Sequence, residues 1–224
     1  MTKLYVVATP IGNLKDITLR AIETFKLCDL VICEDTRVTG KLLNHLEIKK
    51  KMISLSAYEE KKNLDSLLEK IKEVENVVLV SDAGTPGISD PGTRIVSMVR
   101  ENKVEVEPIP GPSALTASLS ASGFDTSKFV FLGFLPKKKG RKTLFETLPE
   151  IHQTIVFYES PHRIIKTLGE LSNTIPERRI AVYKEITKIH EEFIEGKPSE
   201  VLYFFKNNED KVKGEFVVII DSIK

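Results

Sequence analysis

Short apolar runs at positions 4–7, 30–32, 77–80 and 104–109 are rich in β-branched residues and are stopped by Pro, Gly or acidic residues, as expected of buried strands. Helical spacing fills the gaps between them. Ile17, Ala21, Ile22 and Phe25 form one amphipathic stripe, and Leu64, Leu67, Leu68, Ile71 and Val74 form a second on an otherwise charged segment. Strands alternating with helices predict a parallel α/β sheet. That rhythm breaks at the PGPS sequence of 110–113, after which an apolar helix is predicted over 114–121 with Ser113 placed to cap it. A domain boundary belongs there, giving an N-terminal α/β domain over 1–113 and a C-terminal α/β domain over 114–224. The second domain carries predicted strands at 129–132, 154–158, 180–183, 192–194 and 215–220, the last of them mixed or antiparallel.

Composition narrows the class without changing that picture. A chain of 224 residues that is 41% hydrophobic and 29% charged, with 12 Gly and 11 Pro, is neither disordered nor collagenous nor low in complexity. No apolar run reaches membrane-spanning length, and the segment MTKLYVVATPIGNLKD turns polar too early for a signal peptide, so a cytoplasmic location and no membrane partner are expected. A net charge of +1 leaves any electrostatic footprint to be local. Cys28 and Cys33 read as reduced core residues, and the spacing of His45, His152, His162 and His190 offers no metal motif.

In an open parallel sheet, ligands bind beyond the carboxyl ends of the strands, so the loops after each N-terminal strand matter most. Four are unusual: TPIGNL at 9–14, EDTR at 34–37, SDAGTPGISDPG at 81–92 and PGPS at 110–113. None carries a dinucleotide fingerprint or a phosphate-binding P-loop. Glu34 stands 22 residues beyond Gly12, a spacing seen for ribose-binding acids, although a solvated turn accounts for it equally. The 81–92 loop has three Gly and two Pro in twelve residues, a rigid irregular backbone suited to holding a ligand by main chain. Asp82 and Asp90 within it read as turn caps or as polar ligands. In the second half, residues 126–145 hold six basic residues and no acid, so Lys137, Lys138, Lys139, Arg141 and Lys142 form either a phosphate-binding surface or a solvated loop. The sequence FYESPHR places Glu159, His162 and Arg163 where a strand gives way to a helix, with Pro161 suited to the first helical position.

Taken in order, TPIGNLKDI, CEDTR, VSDAGTPGISDPG, PIPGPSALTA, GFLPKKKGR, FYESPHR, KEITKIHEE and KGEFVVII resemble the small-subunit ribosomal RNA methyltransferase I family of the tetrapyrrole methylase superfamily. The resemblance covers nearly the whole chain. It implies a two-domain fold, with a mostly parallel, doubly wound N-terminal sheet and a mixed C-terminal α/β domain, and with S-adenosyl-L-methionine in the cleft between them. It further implies methyl transfer to the ribose 2′-oxygen of a cytidine in the decoding centre of 16S ribosomal RNA within the small subunit. A homodimer is the expected assembly. By the same resemblance, cofactor contacts fall on Pro10, Gly84, Thr85, Ile88, Ser89, Ser113 and Ala114. From the second domain they fall on Tyr158, Glu159, Lys184, Glu185, Ile186, Gly214 and Glu215.

Transfer of an activated methyl mainly needs alignment, and a general base adds less. Two sets of side chains are candidates for the reacting centre. Glu34 and Asp35 can accept a proton while Arg37 holds a phosphate, and Glu159, His162 and Arg163 form the second set. Each can equally be part of a structural ion pair. Two other functions stay open: a methyltransferase acting on a tetrapyrrole or another small molecule, and a non-catalytic RNA-binding factor of ribosome assembly.

Overall fold

A computed structural model describes residues 1–55 and 61–223, and the chain divides into two compact units, Met1–Ser113 and Ala114–Lys224. The N-terminal unit is built on strands β1 (Lys3–Val7), β2 (Leu30–Cys33), β3 (Lys51–Ser54), β4 (Asn76–Leu79) and β5 (Glu105–Ile109). All pair in parallel, in the order β3-β2-β4-β1-β5.

Alternation along each strand sorts its side chains between two faces. Val7, Val31, Cys33 and Val78 point to one face, where Ala21 and Phe25 of α1 (Leu19–Leu27) and Leu42 and Leu43 of α2 (Thr36–His45) cover them. Leu4, Leu30, Ile32, Val77 and Leu79 point to the other, under Leu67 and Ile71 of α3 (Lys61–Lys72) and Ile95 and Val99 of α4 (Gly92–Glu101). Helices on both faces explain why these strands read as continuous apolar runs. Cys28 and Cys33 are free, buried core residues, and burial pushes the Cys28 thiol up to about 11.

The C-terminal unit contains α5 (Ala114–Ala121), β6 (Phe129–Phe134), α6 (Arg141–Thr147), β7 (Thr154–Glu159), α7 (Ile164–Thr174), β8 (Ile180–Lys184), β9 (Glu192–Gly196), α8 (Pro198–Asn207) and β10 (Phe216–Ile220). Its sheet runs β6-β7-β10-β8-β9, with β6 parallel to β7 and the other pairs antiparallel. Phe157, Val182, Phe216 and Val218 pack under α6, α7 and α8, while Val156, Tyr183 and Val217 pack under Leu119 of α5. Among the described residues no helix is long and apolar enough to cross a membrane.

One local expectation is corrected. Helix α7 starts at Ile164, so Pro161 lies in a preceding turn and not at the first helical position. The Ser160 carbonyl accepts from both the Arg163 and Ile164 amides at 3.0 Å, and this turn aims Arg163 back at Glu159.

Candidate active site

Because β2, β4, β1 and β5 are adjacent and parallel, the loops leaving their carboxyl ends lie side by side. Hydrogen bonds stitch them into one rim. The Asp82 carboxylate accepts from the Asp35 amide at 2.9 Å, which joins the loop after β4 to the start of α2. Thr9 and Gly84 exchange both backbone hydrogen bonds, at 2.9 and 3.0 Å, and the Thr9 hydroxyl donates to the Ser81 carbonyl. Thr85 Oγ1 donates to the Pro112 carbonyl at 3.1 Å, completing the row.

The middle of this rim is backbone held in shapes that side chains disfavour. Gly84 sits at φ +79°, and a Cβ there would press against Ile11 Cγ2 at 3.3 Å, so the loop requires glycine. Ser89 also adopts a positive φ, of 65°, a strain that a well-determined loop tolerates at functional sites. Asp90 fixes this turn by accepting from the amides of Gly87 and Gly92 at 2.7 to 2.9 Å. Asp90 is thus a turn cap, while Asp82 bridges two loops through the Asp35 amide. Ile88 is held 41% exposed, an apolar side chain on a rigid loop and free to meet a ligand.

Three carboxylates gather at one end of the rim. The Glu34 carboxylate is half-buried against the Asp82 amide, and burial, followed by the negative charges of Asp82 and its neighbours, raises its pKa. Burial raises Asp82 as well. Asp35 goes the other way, to about 2, because the Arg37 guanidinium bonds both of its oxygens. A raised carboxyl beside a neutralised one is the division expected of a proton acceptor and a structural cap.

The sequence profile of the tetrapyrrole (corrin/porphyrin) methylases matches residues 3–202. The chain belongs to the tetrapyrrole methylase family. Within that family it is 44% identical over 220 residues to a protein of Thermotoga maritima named ribosomal RNA small subunit methyltransferase I, covering 98% of both chains. A protein of the same name from Escherichia coli O157:H7 is 43% identical, and the match covers 99% of this chain and 78% of that one. Among solved structures, a cobalt precorrin-4 methyltransferase superposes with a TM-score of 0.72 at 16% identity, covering 98% of this chain and 94% of that one. A uroporphyrin-III C-methyltransferase from Thermus thermophilus gives 0.67 at 16%, covering 99% and 94%. The two-domain methylase fold and a methyltransferase activity follow from membership of this family.

In the second unit of this family member, the residues singled out by sequence cluster at one end of the sheet. Glu159 and Lys184 both pair with Phe216, so the ends of β7 and β8 flank the start of β10. Glu185 accepts from the Glu215 amide at 2.8 Å, and its own amide donates to the Glu215 carbonyl. A Cβ on Gly214, at φ +84°, would collide with the Glu185 carboxylate, which is why glycine stands there. Tyr158 packs edge-on to Phe131 with ring centroids 5.1 Å apart, and Ile186 lies against the same apolar cluster.

The catalytic candidates of this unit are not alike. The Glu159 side chain is wholly buried, with Oε1 accepting from Arg163 at 2.7 Å and the Ser160 amide at 2.8 Å, and Oε2 accepting from Thr167 at 2.7 Å. His162 is exposed on the turn. Arg141 is 5% exposed and unlike its lysine neighbours: its guanidinium bonds Glu170, Thr167 and the Pro136 carbonyl. Arg163 Nη1 donates to the Leu135 carbonyl at 2.7 Å. The network therefore anchors residues 135 and 136, where the basic loop begins. Sequence reasoning missed Thr167 and Glu170, whose only signal was polarity on the inner side of an apolar helix.

Proposed function

We propose that this methyltransferase uses S-adenosyl-L-methionine to methylate the ribose 2′-hydroxyl of a decoding-centre cytidine in 16S ribosomal RNA of the small subunit. The observation that carries the chemistry is the stitched rim of four strand-end loops with the raised Glu34 carboxyl at its edge. The rim suits the donor, which has no phosphate. A backbone surface without a P-loop, with glycine at Gly84 and an exposed Ile88, offers amides, carbonyls and apolar contact, and not a phosphate cradle. Pro10, Gly84, Thr85, Ile88, Ser89 and Ser113 are the residues proposed to hold it from the N-terminal unit. From the C-terminal unit, Ala114, Tyr158, Lys184, Glu185, Ile186, Gly214 and Glu215 are proposed.

When bound, the donor supplies a methyl group already activated for displacement. What the protein adds is alignment, worth on the order of 7 to 11 kcal/mol, and proton acceptance, worth roughly 10² to 10⁴-fold. Glu34 is the proposed acceptor of the hydroxyl proton. Arg37, 86% exposed beside Asp35, is proposed to hold an adjacent phosphate. Ribosomal RNA as the acceptor is supported by the names of relatives that match along almost the whole chain, and by exposed Lys137, Lys138, Lys139 and Lys142. Arg141 leaves that set because its donors are already engaged.

The expected result is transfer of tritium from labelled S-adenosyl-L-methionine to small ribosomal subunits, with the label mapping to one cytidine 2′-oxygen. Transfer to a tetrapyrrole and none to RNA would overturn the acceptor. A homodimer belongs to the same proposal and is read by light scattering.

A further inference from the structure

Between α6 and α7, within the C-terminal unit, lies an open cavity of about 470 Å³. Residues 141, 142, 145 and 146 face it from α6, and residues 166, 170, 173 and 174 from α7, in each case one helical face. Lys137 and Lys138 close it from the loop before α6.

The charges around the cavity do not cancel. Glu170 is neutralised by Arg141, whose guanidinium also stacks on the Phe145 ring at 4.9 Å to form a fixed floor. Glu146 stands 3.7 Å from Lys142. Among the described residues, no carboxylate lies within ion-pair distance of Lys137, Lys138 or Lys166, and all three side chains are exposed. Three unpaired ammonium groups thus ring a floor whose own charges are matched, with the Asn173 amide at the rim.

Resting on the ribosomal RNA reading above, we propose that this cavity seats the phosphodiester backbone of the RNA. Lys137, Lys138 and Lys166 contact phosphates, Asn173 is the hydrogen-bonding group for a ribose or phosphate oxygen, and Arg141 is a positioning residue that touches no RNA. The shape argues for a polymer. Long, flexible ammonium groups around an open cavity hold a single small anion weakly, but they match a chain that repeats its charge. Contacts of this kind fix where the RNA lies and carry no base specificity. They extend the basic surface from the loop onto α7, which no reading of the 137–142 segment alone includes.

The test is a salt titration of binding to small ribosomal subunits for wild type, Lys166→Ala, Lys166→Arg and the triple variant Lys137→Ala/Lys138→Ala/Lys166→Ala. Each lost phosphate contact should lower the slope of log affinity against log salt by about 0.7 to 0.9, so Lys166→Ala loses one such step and the triple variant about three. Lys166→Arg should keep the wild-type slope. S-adenosyl-L-methionine binding, read by calorimetry, should be unchanged in all of them. Full wild-type slope in the triple variant overturns the cavity while leaving the RNA reading intact. Wild type that fails to bind small subunits at low salt overturns both. Inorganic phosphate that displaces the RNA beyond its effect as a salt would assign the cavity to free anions instead.

Discussion

Each unit holds a carboxylate–arginine cluster that sequence marks as a candidate for chemistry, and the two differ in surroundings more than in parts. In the C-terminal unit the Glu159 side chain is 0% exposed and every neighbour is a donor: Arg163, Thr167 and the Ser160 amide. In the N-terminal unit Arg37 is 86% exposed, Asp35 is engaged by Arg37, and Glu34 faces other carboxylates. A buried charge with donors on both oxygens is committed to the fold, since removing one partner strands the rest. A half-buried carboxyl destabilised by like charges has work left to do. The difference makes Glu159 part of the anchor for the basic loop, and it supports Glu34 as the proposed proton acceptor.

The largest expected effect tests the buried side. Glu159→Ala removes the carboxylate that pairs with Arg163 and the oxygen to which Thr167 donates, so unfolding free energy should fall by about 3 to 5 kcal/mol in denaturant titrations. Asp35→Ala should cost far less, mostly through loss of the cap on the Arg37 amide, because its exposed ion pair contributes little. Equal losses at both positions would break the distinction.

Next in size is Glu34→Gln. The amide keeps the shape but accepts no proton, so methyl transfer should slow by roughly 10²-fold with cofactor binding retained. In wild type the rate should rise as pH passes upward through the elevated Glu34 pKa, because only the ionised carboxylate is a base. The same raised pKa means that the folded state binds the proton more tightly than the unfolded chain. Glu34 therefore costs stability as pH rises through that window, and Glu34→Gln should be no less stable than wild type at neutral pH. A variant that loses stability and keeps its rate would make Glu34 structural and reverse the comparison.

These two sides were unequally legible in the sequence. Fully buried strands such as Val77 to Leu79 announce themselves because both faces are apolar, whereas β3 (Lys51–Ser54) escapes notice as a four-residue edge strand behind a lysine run. The four rim loops are visible because Gly and Pro mark irregular backbone, and their adjacency follows from parallel strand order. Burial of individual charges is not visible in this way. Arg141 reads as one more cation in a basic run, yet its partners Thr167 and Glu170 lie 26 and 29 residues further on and meet it only through helix packing. Likewise Glu34 and Asp35 are neighbours in sequence, yet burial and then the Asp82 charge, from another loop, raise the first, while Arg37, two residues on, lowers the second.

The smallest effect sharpens the exposed side. Asp35 is held at about 2, below its ordinary 3.8, first by the Arg37 side chain and then by the Arg37 amide. A depressed carboxylate contributes stability that is fully present above 3.8 and lost as pH falls toward 2. Arg37→Ala removes the guanidinium and keeps the amide, so the Asp35 titration, followed by NMR, should move up but stop short of 3.8. Wild type and variant should converge in stability as pH falls below about 2, where Asp35 is protonated in both. Because the pair is exposed, about 1 M salt, with a screening length of roughly 3 Å, should remove most of the guanidinium's part of the shift. Salt should leave the stability lost in Glu159→Ala nearly unchanged, since that charge lies beyond the reach of solvent ions. An Asp35 titration that ignores salt would show the Asp35–Arg37 pair to be as sheltered as Glu159, and the contrast between the two clusters would then need another cause than exposure.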